Sequence, residues 1–280
     1  MEIVKGFFDY CVPEKCATSG SFEEVAKRLL QLGYRTIAIN QIIDENNLGP
    51  KKKKKKGEIR DIIDVVPVPL KVKMIEGCEE LRILNRLTII FSNQEIINKI
   101  LKSPNYRKYN VVAVQPISQA ALQFTCSSID ADIFSYDPEN KPNFKLNRKL
   151  YNQLVERGFY FELLYSPAIQ DSSQRKNVIA MSHFYHSYGK SRNIIISSGA
   201  TSTFLLRSPY DIVNLGFLFG LSEEQSKNAI GNFGKNIYIH GVGRRHGKSI
   251  MLVEDIASSE GLEQDDEMEL DQPAHKRCKQ

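Results

Sequence analysis

Short apolar runs recur along this chain, and behind almost every one stands a helix-start signal. Leu87-Thr-Ile-Ile-Phe91, Val111-Val-Ala-Val114, Phe159–Leu164 and Asn193-Ile-Ile-Ile-Ser197 are nearly continuous in apolar character. A strand wetted on one face alternates apolar and polar residues, whereas a strand buried on both faces does not. The runs therefore predict parallel strands covered on both sides. The opening fits this pattern. Ile3–Tyr10 reads as a strand, Ser21–Gly33 as a helix, and Tyr34–Asn40 as a second strand. Ser21 supplies the N-cap, Glu24 the capping-box carboxylate and Gly33 the stop. Such a βαβ unit commits the fold to a parallel sheet with right-handed crossovers.

Later strands have their own helices: Asn93–Leu101 after strand 87–91, Ser118–Cys126 after 111–114, and Leu146–Glu156 after a short strand at Ile133–Ser135. Gln174–His186 follows 159–164, and Pro209–Phe219 follows 193–197. Ser222 opens a further helix, and Ile237–His240 reads as a last strand. The expected fold is α/β: an irregular TIM-like (β/α) barrel with seven or eight short parallel strands, an open doubly wound sheet being the alternative. The barrel is expected over residues 1–253, with a disordered acidic tail at 254–280.

Charge is needed to see what the surface offers. The net charge is +5. From Glu254 onward nine acidic and three basic residues place −6 on the tail, which leaves +11 on residues 1–253. Six of those charges form the run Lys51–Lys56, flanked by Gly49-Pro50 and Gly57, which must be a solvated loop because like charges repel. Nucleic acid is an expected partner, and Lys51, Lys52 and Lys53 are candidate contacts. The chain has no apolar run near the ~18 residues of a membrane span, and no basic start leads into an apolar block. Cys11, Cys16, Cys78, Cys126 and Cys278 are odd in number and scattered, so neither a disulfide framework nor paired zinc knuckles is expected. These features give an intracellular expectation. Lys276-Arg-Cys-Lys279 is a short basic cluster of the kind that serves as a nuclear import signal.

Several motifs bear on chemistry. Asp171, Ser172 and Ser173 can cap a helix just outside the carboxyl end of strand 159–164, where free backbone N–H groups suit a phosphate. Arg175, in the first turn of that helix, opposes the helix dipole and could be held there by an anion. Gly241-Val-Gly-Arg-Arg-His-Gly-Lys-Ser249 resembles a phosphate-binding P-loop, but Gly243 leaves three residues before Gly-Lys-Ser and Gly241 leaves five, where four are required. What remains is a basic glycine-rich loop whose Arg244, Arg245 and Lys248 could track a phosphate backbone. His183 and His186 have metal-ligand spacing, but no third ligand stands at a familiar interval. Asp9, Asn40, Glu162 and His240 are the polar groups nearest strand ends. They are too few and too mixed for a confident metal centre, so no catalytic, metal or cofactor residue is assigned. Arg86, just before the strand at Leu87, and Arg207, just before Ser208-Pro-Tyr-Asp211, are lone arginines that either make ion pairs or form a phosphate-binding rim.

Four segments together carry a resemblance: Arg86-Leu-Thr-Ile-Ile90, Phe161-Glu-Leu-Leu-Tyr-Ser-Pro-Ala-Ile-Gln-Asp-Ser172, Ile194-Ile-Ile-Ser-Ser-Gly-Ala200 and Ser208-Pro-Tyr-Asp-Ile-Val-Asn-Leu-Gly-Phe-Leu-Phe-Gly-Leu-Ser222. In this order they resemble the thirty-kilodalton protein subunit family of ribonuclease P and ribonuclease MRP. The likeness spans most of residues 1–250 and leaves out the lysine loop and the tail. It implies a TIM-like barrel related to the polymerase-and-histidinol-phosphatase metallohydrolases. It also implies a nuclear and nucleolar ribonucleoprotein whose RNA carries the catalysis. Implied partners are that catalytic RNA, precursor tRNA and a small Pop-type protein subunit. The implied outcome is tRNA five-prime maturation, with ribosomal RNA processing in the MRP particle. The metallohydrolase relatives carry His-x-His at the end of the first strand, where this chain has Phe8-Asp9-Tyr10, which points to a lost metal centre. Position in the family's motifs nominates Arg86, Arg175 and Arg207 as RNA contacts.

The reading is therefore a non-catalytic, RNA-binding barrel within an RNA-based endoribonuclease. Two rivals stand beside it: a metal-dependent phosphoesterase on the same barrel, and an assembly scaffold that binds proteins without touching RNA.

Overall fold

The structure, a computed structural model, describes residues 6–18, 22–45, 64–72 and 75–247. Its strands are β1 (Phe7–Pro13), β2 (Tyr34–Asp44), β3 (Arg82–Phe91), β4 (Val111–Pro116), β5 (Ile133–Phe134), β6 (Tyr160–Leu164) and β7 (Ile194–Ser197). They pair in consecutive order, every neighbouring pair parallel. A doubly wound sheet reverses its strand order at a switch point, and this sheet does not, so the open-sheet alternative is set aside. No ladder joins β7 to β1. The seam is bridged instead by the Gly199 N–H donating to the Cys11 carbonyl at 2.9 Å and the Ser198 N–H donating to the Asp9 carboxylate at 3.0 Å. The result is a nearly closed barrel of seven strands among the described residues.

The helices are α1 (Glu14–Thr18), α2 (Phe22–Gln31), α3 (Gln94–Leu101), α4 (Gln119–Ser127), α5 (Arg148–Glu156), α6 (Tyr165–Gln170), α7 (Ser172–Gly189), α8 (Pro209–Leu218), α9 (Glu223–Ile230) and α10 (Asn232–His246). Local chemistry sets many of their starts. Ser118 accepts from the Ala121 N–H, and Asp171 from the N–H groups of Ser173 and Gln174. Ser222 and Gln225 complete a reciprocal capping box, satisfying two otherwise orphaned donors.

Both faces of the sheet are buried, which explains the continuous apolar runs. Residues of one parity, among them Ile37, Ile39, Leu87, Ile89, Val112, Val114, Phe161 and Leu163, pack outward beneath the helices. Residues of the other parity, Phe8, Tyr10, Ala38, Leu84, Val111, Ala113, Ile133 and Ile195, fill the lower interior with Ile237 of α10. That last contact corrects the sequence reading: Ile237–His240 is helical, so no eighth strand forms there. The basic glycine-rich stretch from Gly241 is likewise helical through His246.

Two close approaches explain why a helix carries so many glycines. A Cβ on Gly234 would lie 2.3 Å from the Phe8 ring, and one on Gly241 would lie 2.2 Å from the Asn110 carbonyl oxygen. Helix α10 can cross the amino-terminal mouth of the barrel only with bare backbone at those points. The lysine loop, Lys248 and the tail lie outside the described residues, as does the expected boundary at residue 253.

Candidate nucleic-acid interface

Arg86 does not lie on a loop ahead of a strand. Strand β3 begins at Arg82, which makes Arg86 an interior residue, 1 % exposed. Its guanidinium reaches across the barrel to Glu162 on β6, giving two bonds of 2.5 and 2.7 Å. It also donates to the Tyr10 carbonyl at 2.9 Å and to the Thr88 hydroxyl at 3.2 Å. Thr88 in turn donates to Asn40 at 2.5 Å, and Ser135 donates to Glu162 at 2.9 Å. Burial pushes the Glu162 carboxyl up, but the Arg86 charge and hydrogen bonds more than offset this and hold it below the usual carboxylate range. Arg86 is therefore corrected from an RNA contact to the cation of a buried, bidentate pair, because its donors are spent inside the barrel and no surface reaches it.

The other interior candidates have structural partners too. Asp9 holds the seam by accepting the Ser198 N–H, and it also accepts the Cys11 N–H within its own strand. Burial raises its carboxyl above the usual range, and its second oxygen has no hydrogen-bond partner among the described residues. His183 is exposed, while His186 meets the Ser191 hydroxyl at 3.1 Å. Among the described residues no three His, Cys, Asp or Glu side chains gather as a metal set would require.

Arg175 does lie at the surface. Its Nε donates to the Ala168 carbonyl at 2.6 Å and one Nη to the Ile169 carbonyl at 3.3 Å. The negative partner expected from its awkward place in the first turn of α7 is thus the carbonyl end of α6, with Asp171 adding charge close by. Arg207 is half-buried on the strap that follows β7. One Nη donates to the carbonyls of Phe204 and Leu206 at 2.8 and 3.0 Å. Because β6 and β7 are neighbours in the sheet, Arg175 and Arg207 belong to adjacent sectors of the barrel wall.

The remaining candidate arginines sit on α10, at the amino-terminal mouth of the barrel. Asp132, fully buried just before β5, takes His240 at 2.6 Å, Arg244 at 3.1 Å and the Val112 N–H at 2.7 Å. The hydrogen bond to Asp132 raises the His240 pKa above its ordinary value. The Arg244 side chain, 5 % exposed, also covers the Tyr106 ring at 5.6 Å. Arg244 is therefore corrected from a phosphate contact on a basic loop to a clamp that docks α10 on the barrel. Arg245 is half-buried, and its Nε has no hydrogen bond among the described residues. Lys248, Lys51, Lys52 and Lys53 lie outside those residues.

The sequence reading passed over the outer wall next to Arg207. There Lys27 and Arg28 of α2 share a surface cavity of about 600 Å³ with Arg207 and Phe204. Phe204 is 83 % exposed. The signal was an aromatic residue three places before an arginine, too common to single out alone.

Comparison with known proteins agrees with this architecture. Residues 6–246 match the family described as RNase P subunit p30. The mouse ribonuclease P protein subunit p30 is 35 % identical over 216 residues, covering 76 % of this chain and 78 % of that protein. The probable ribonuclease P protein subunit 3 of Schizosaccharomyces pombe is 26 % identical over 222 residues, covering 79 % and 87 %. A chain in the cryo-EM structure of archaeal ribonuclease P with mature tRNA shares the fold, with a TM-score of 0.56 and 12 % identity over 89 % of this chain and 99 % of that one. With the match running from the first strand of the barrel to the helix that closes its base, the chain belongs to the RNase P subunit p30 family.

Proposed function

We propose that the chain is an RNA-binding protein subunit of ribonuclease P that supports the catalytic RNA in maturing tRNA five-prime ends. The observation that carries this reading is the family match over the whole barrel, residues 6–246. The Arg86–Glu162 pair fills the barrel interior, which leaves the outer wall, with Arg175 and Arg207, as the surface to which this reading assigns the phosphate contacts. The RNA, not this barrel, carries the chemistry.

The Saccharomyces cerevisiae relative, named a ribonuclease P/MRP protein subunit, is 24 % identical over 218 residues and supports a second place in an MRP particle that processes ribosomal RNA. Residence in the nucleus, and within it the nucleolus, goes with that assignment. The protein partner in this reading is a small Pop-type subunit. A face suited to it lies on α8, where Tyr210, Phe217 and Leu218 point outward and are 71, 49 and 69 % exposed.

The test uses the tagged full chain. Captured from its own cells, it should bring down an RNA-dependent activity that cleaves precursor tRNA at the five-prime end. For the purified chain, the Arg175→Ala/Arg207→Ala variant should bind structured RNA more weakly. Its log–log salt slope should flatten by about 1.5 units for two lost phosphate contacts. Unchanged affinity and slope would remove the RNA face and favour the assembly scaffold. Hydrolysis by the purified chain without RNA would favour the phosphoesterase.

A further inference from the structure

We propose that the groove between α2 and the 3-10 turn at Thr203–Leu205 binds one unpaired nucleotide of RNA, with Phe204 stacking on the base and Arg28 and Arg207 holding its flanking phosphates. This rests on the RNA-binding reading above and narrows it to a place and a ligand.

A singly exposed aromatic residue is ordinary, so exposure alone carries little. What distinguishes Phe204 is how firmly its backbone is held while its ring stands free. The Thr203 hydroxyl donates to Glu24 on α2 at 3.3 Å, and Leu205 and Leu206 are buried. The Arg207 guanidinium donates back to the Phe204 carbonyl. The Arg207 peptide is itself fixed, its N–H donating to the Tyr165 hydroxyl at 3.2 Å and its carbonyl accepting from the Tyr34 hydroxyl at 3.1 Å. A ring mounted on fixed backbone stacks on a ligand at little cost in ordering.

The charges around it are suited to phosphate. Three cations, Lys27, Arg28 and Arg207, line the cavity against one carboxylate, that of Glu24. Lys27 is tied to Glu23 at 2.5 Å, whereas Arg28 is exposed and makes no ion pair among the described residues. Arg207 uses only one Nη for the carbonyls, which leaves its other donors for a ligand. A volume near 600 Å³ is ample for one nucleotide.

The combination selects single strands. In a duplex each base face is covered by its neighbours, and A-form RNA keeps its major groove too narrow for side chains. An unpaired base offers a bare π-face. A protein partner would instead prefer a broad apolar surface, and on this molecule that character lies on α8.

The probes are a labelled 12-nucleotide oligouridylate and a 12-base-pair RNA duplex, each titrated with the full chain. Phe204→Ala should weaken oligouridylate binding roughly 5- to 150-fold, the range for one lost base stack, without changing the salt slope. Phe204→Tyr should restore it, and duplex binding should not move. Arg28→Ala should flatten the oligouridylate salt slope by about 0.7 units. The proposal is overturned if wild type does not bind oligouridylate, if Phe204→Ala binds it as wild type does, or if strand and duplex weaken alike. If Phe204→Ala is silent while Arg175→Ala/Arg207→Ala still weakens structured RNA, the subsite falls and the RNA-binding reading stands. If both are silent, both fall.

Discussion

Replacing Arg86 by methionine removes one half of the ion pair that spans the barrel. Arg86 is 1 % exposed and Glu162 is 0 %, so the carboxylate would stay where water does not reach it. Four bonds of 2.5 to 3.2 Å are lost, while Ser135 remains on Glu162 at 2.9 Å. Breaking a buried pair from one side costs about 3–5 kcal/mol. At about 2–4 °C per kcal/mol for a domain of this size, Tm should fall by about 6–20 °C at neutral pH.

The deficit depends on pH. In the wild-type protein Glu162 titrates below its ordinary value. Its contribution is therefore complete above an unfolded carboxyl pKa of about 4.3 and is lost as pH falls through the folded value. In the variant burial acts unopposed and the carboxyl rises, so the variant loses stability as pH climbs from about 4.3 through that raised value. The gap between the two proteins should be small in acid and large in mild alkali. Urea unfolding of the full chain across that range measures it. Arg86→Met/Glu162→Leu should recover most of the loss, because no charge is then left unpaired. An Arg86→Met chain as stable as wild type that binds RNA more weakly would refute the burial argument and return Arg86 to the RNA face.

Two further outcomes test the base of the barrel. Gly241→Ala drives a Cβ to 2.2 Å from the Asn110 carbonyl, a backbone atom that cannot swing away, so amides of α10 should exchange faster with solvent than in Gly243→Ala; equal protection in the two variants would contradict the close approach. The raised His240 pKa means the Asp132–His240 bond contributes fully below about pH 6.5 and is lost as pH rises through the folded value; an NMR titration should place the His240 midpoint above about 6.5, and a midpoint at or below that would overturn the assignment.

Much of the barrel was legible because its signals are local. Apolar runs marked strands buried on both faces, and Ser118, Asp171 and Ser222 marked helix starts through bonds to residues two or three places away. Helix α10 was misread for a physical reason. Glycine disfavours an isolated helix by about 1 kcal/mol per residue, yet Gly234 and Gly241 are there because the barrel mouth leaves no room for a side chain. The benefit lies wholly in tertiary packing, so local propensity pointed the wrong way.

By itself the sequence determined the alternation of strands and helices, the parallel sheet and the family. Only the tertiary structure decided where each charge is spent. Arg86, Arg175, Arg207 and Arg244 look alike as arginines near element ends. One pairs with a carboxylate 76 residues away inside the barrel, one rests on the carbonyl end of α6, one braces the strap after β7, and one clamps α10 to Asp132. The reason is that a charge is solvated either by water or by partners, and those partners are brought together by the closing of the barrel, not by their spacing along the chain.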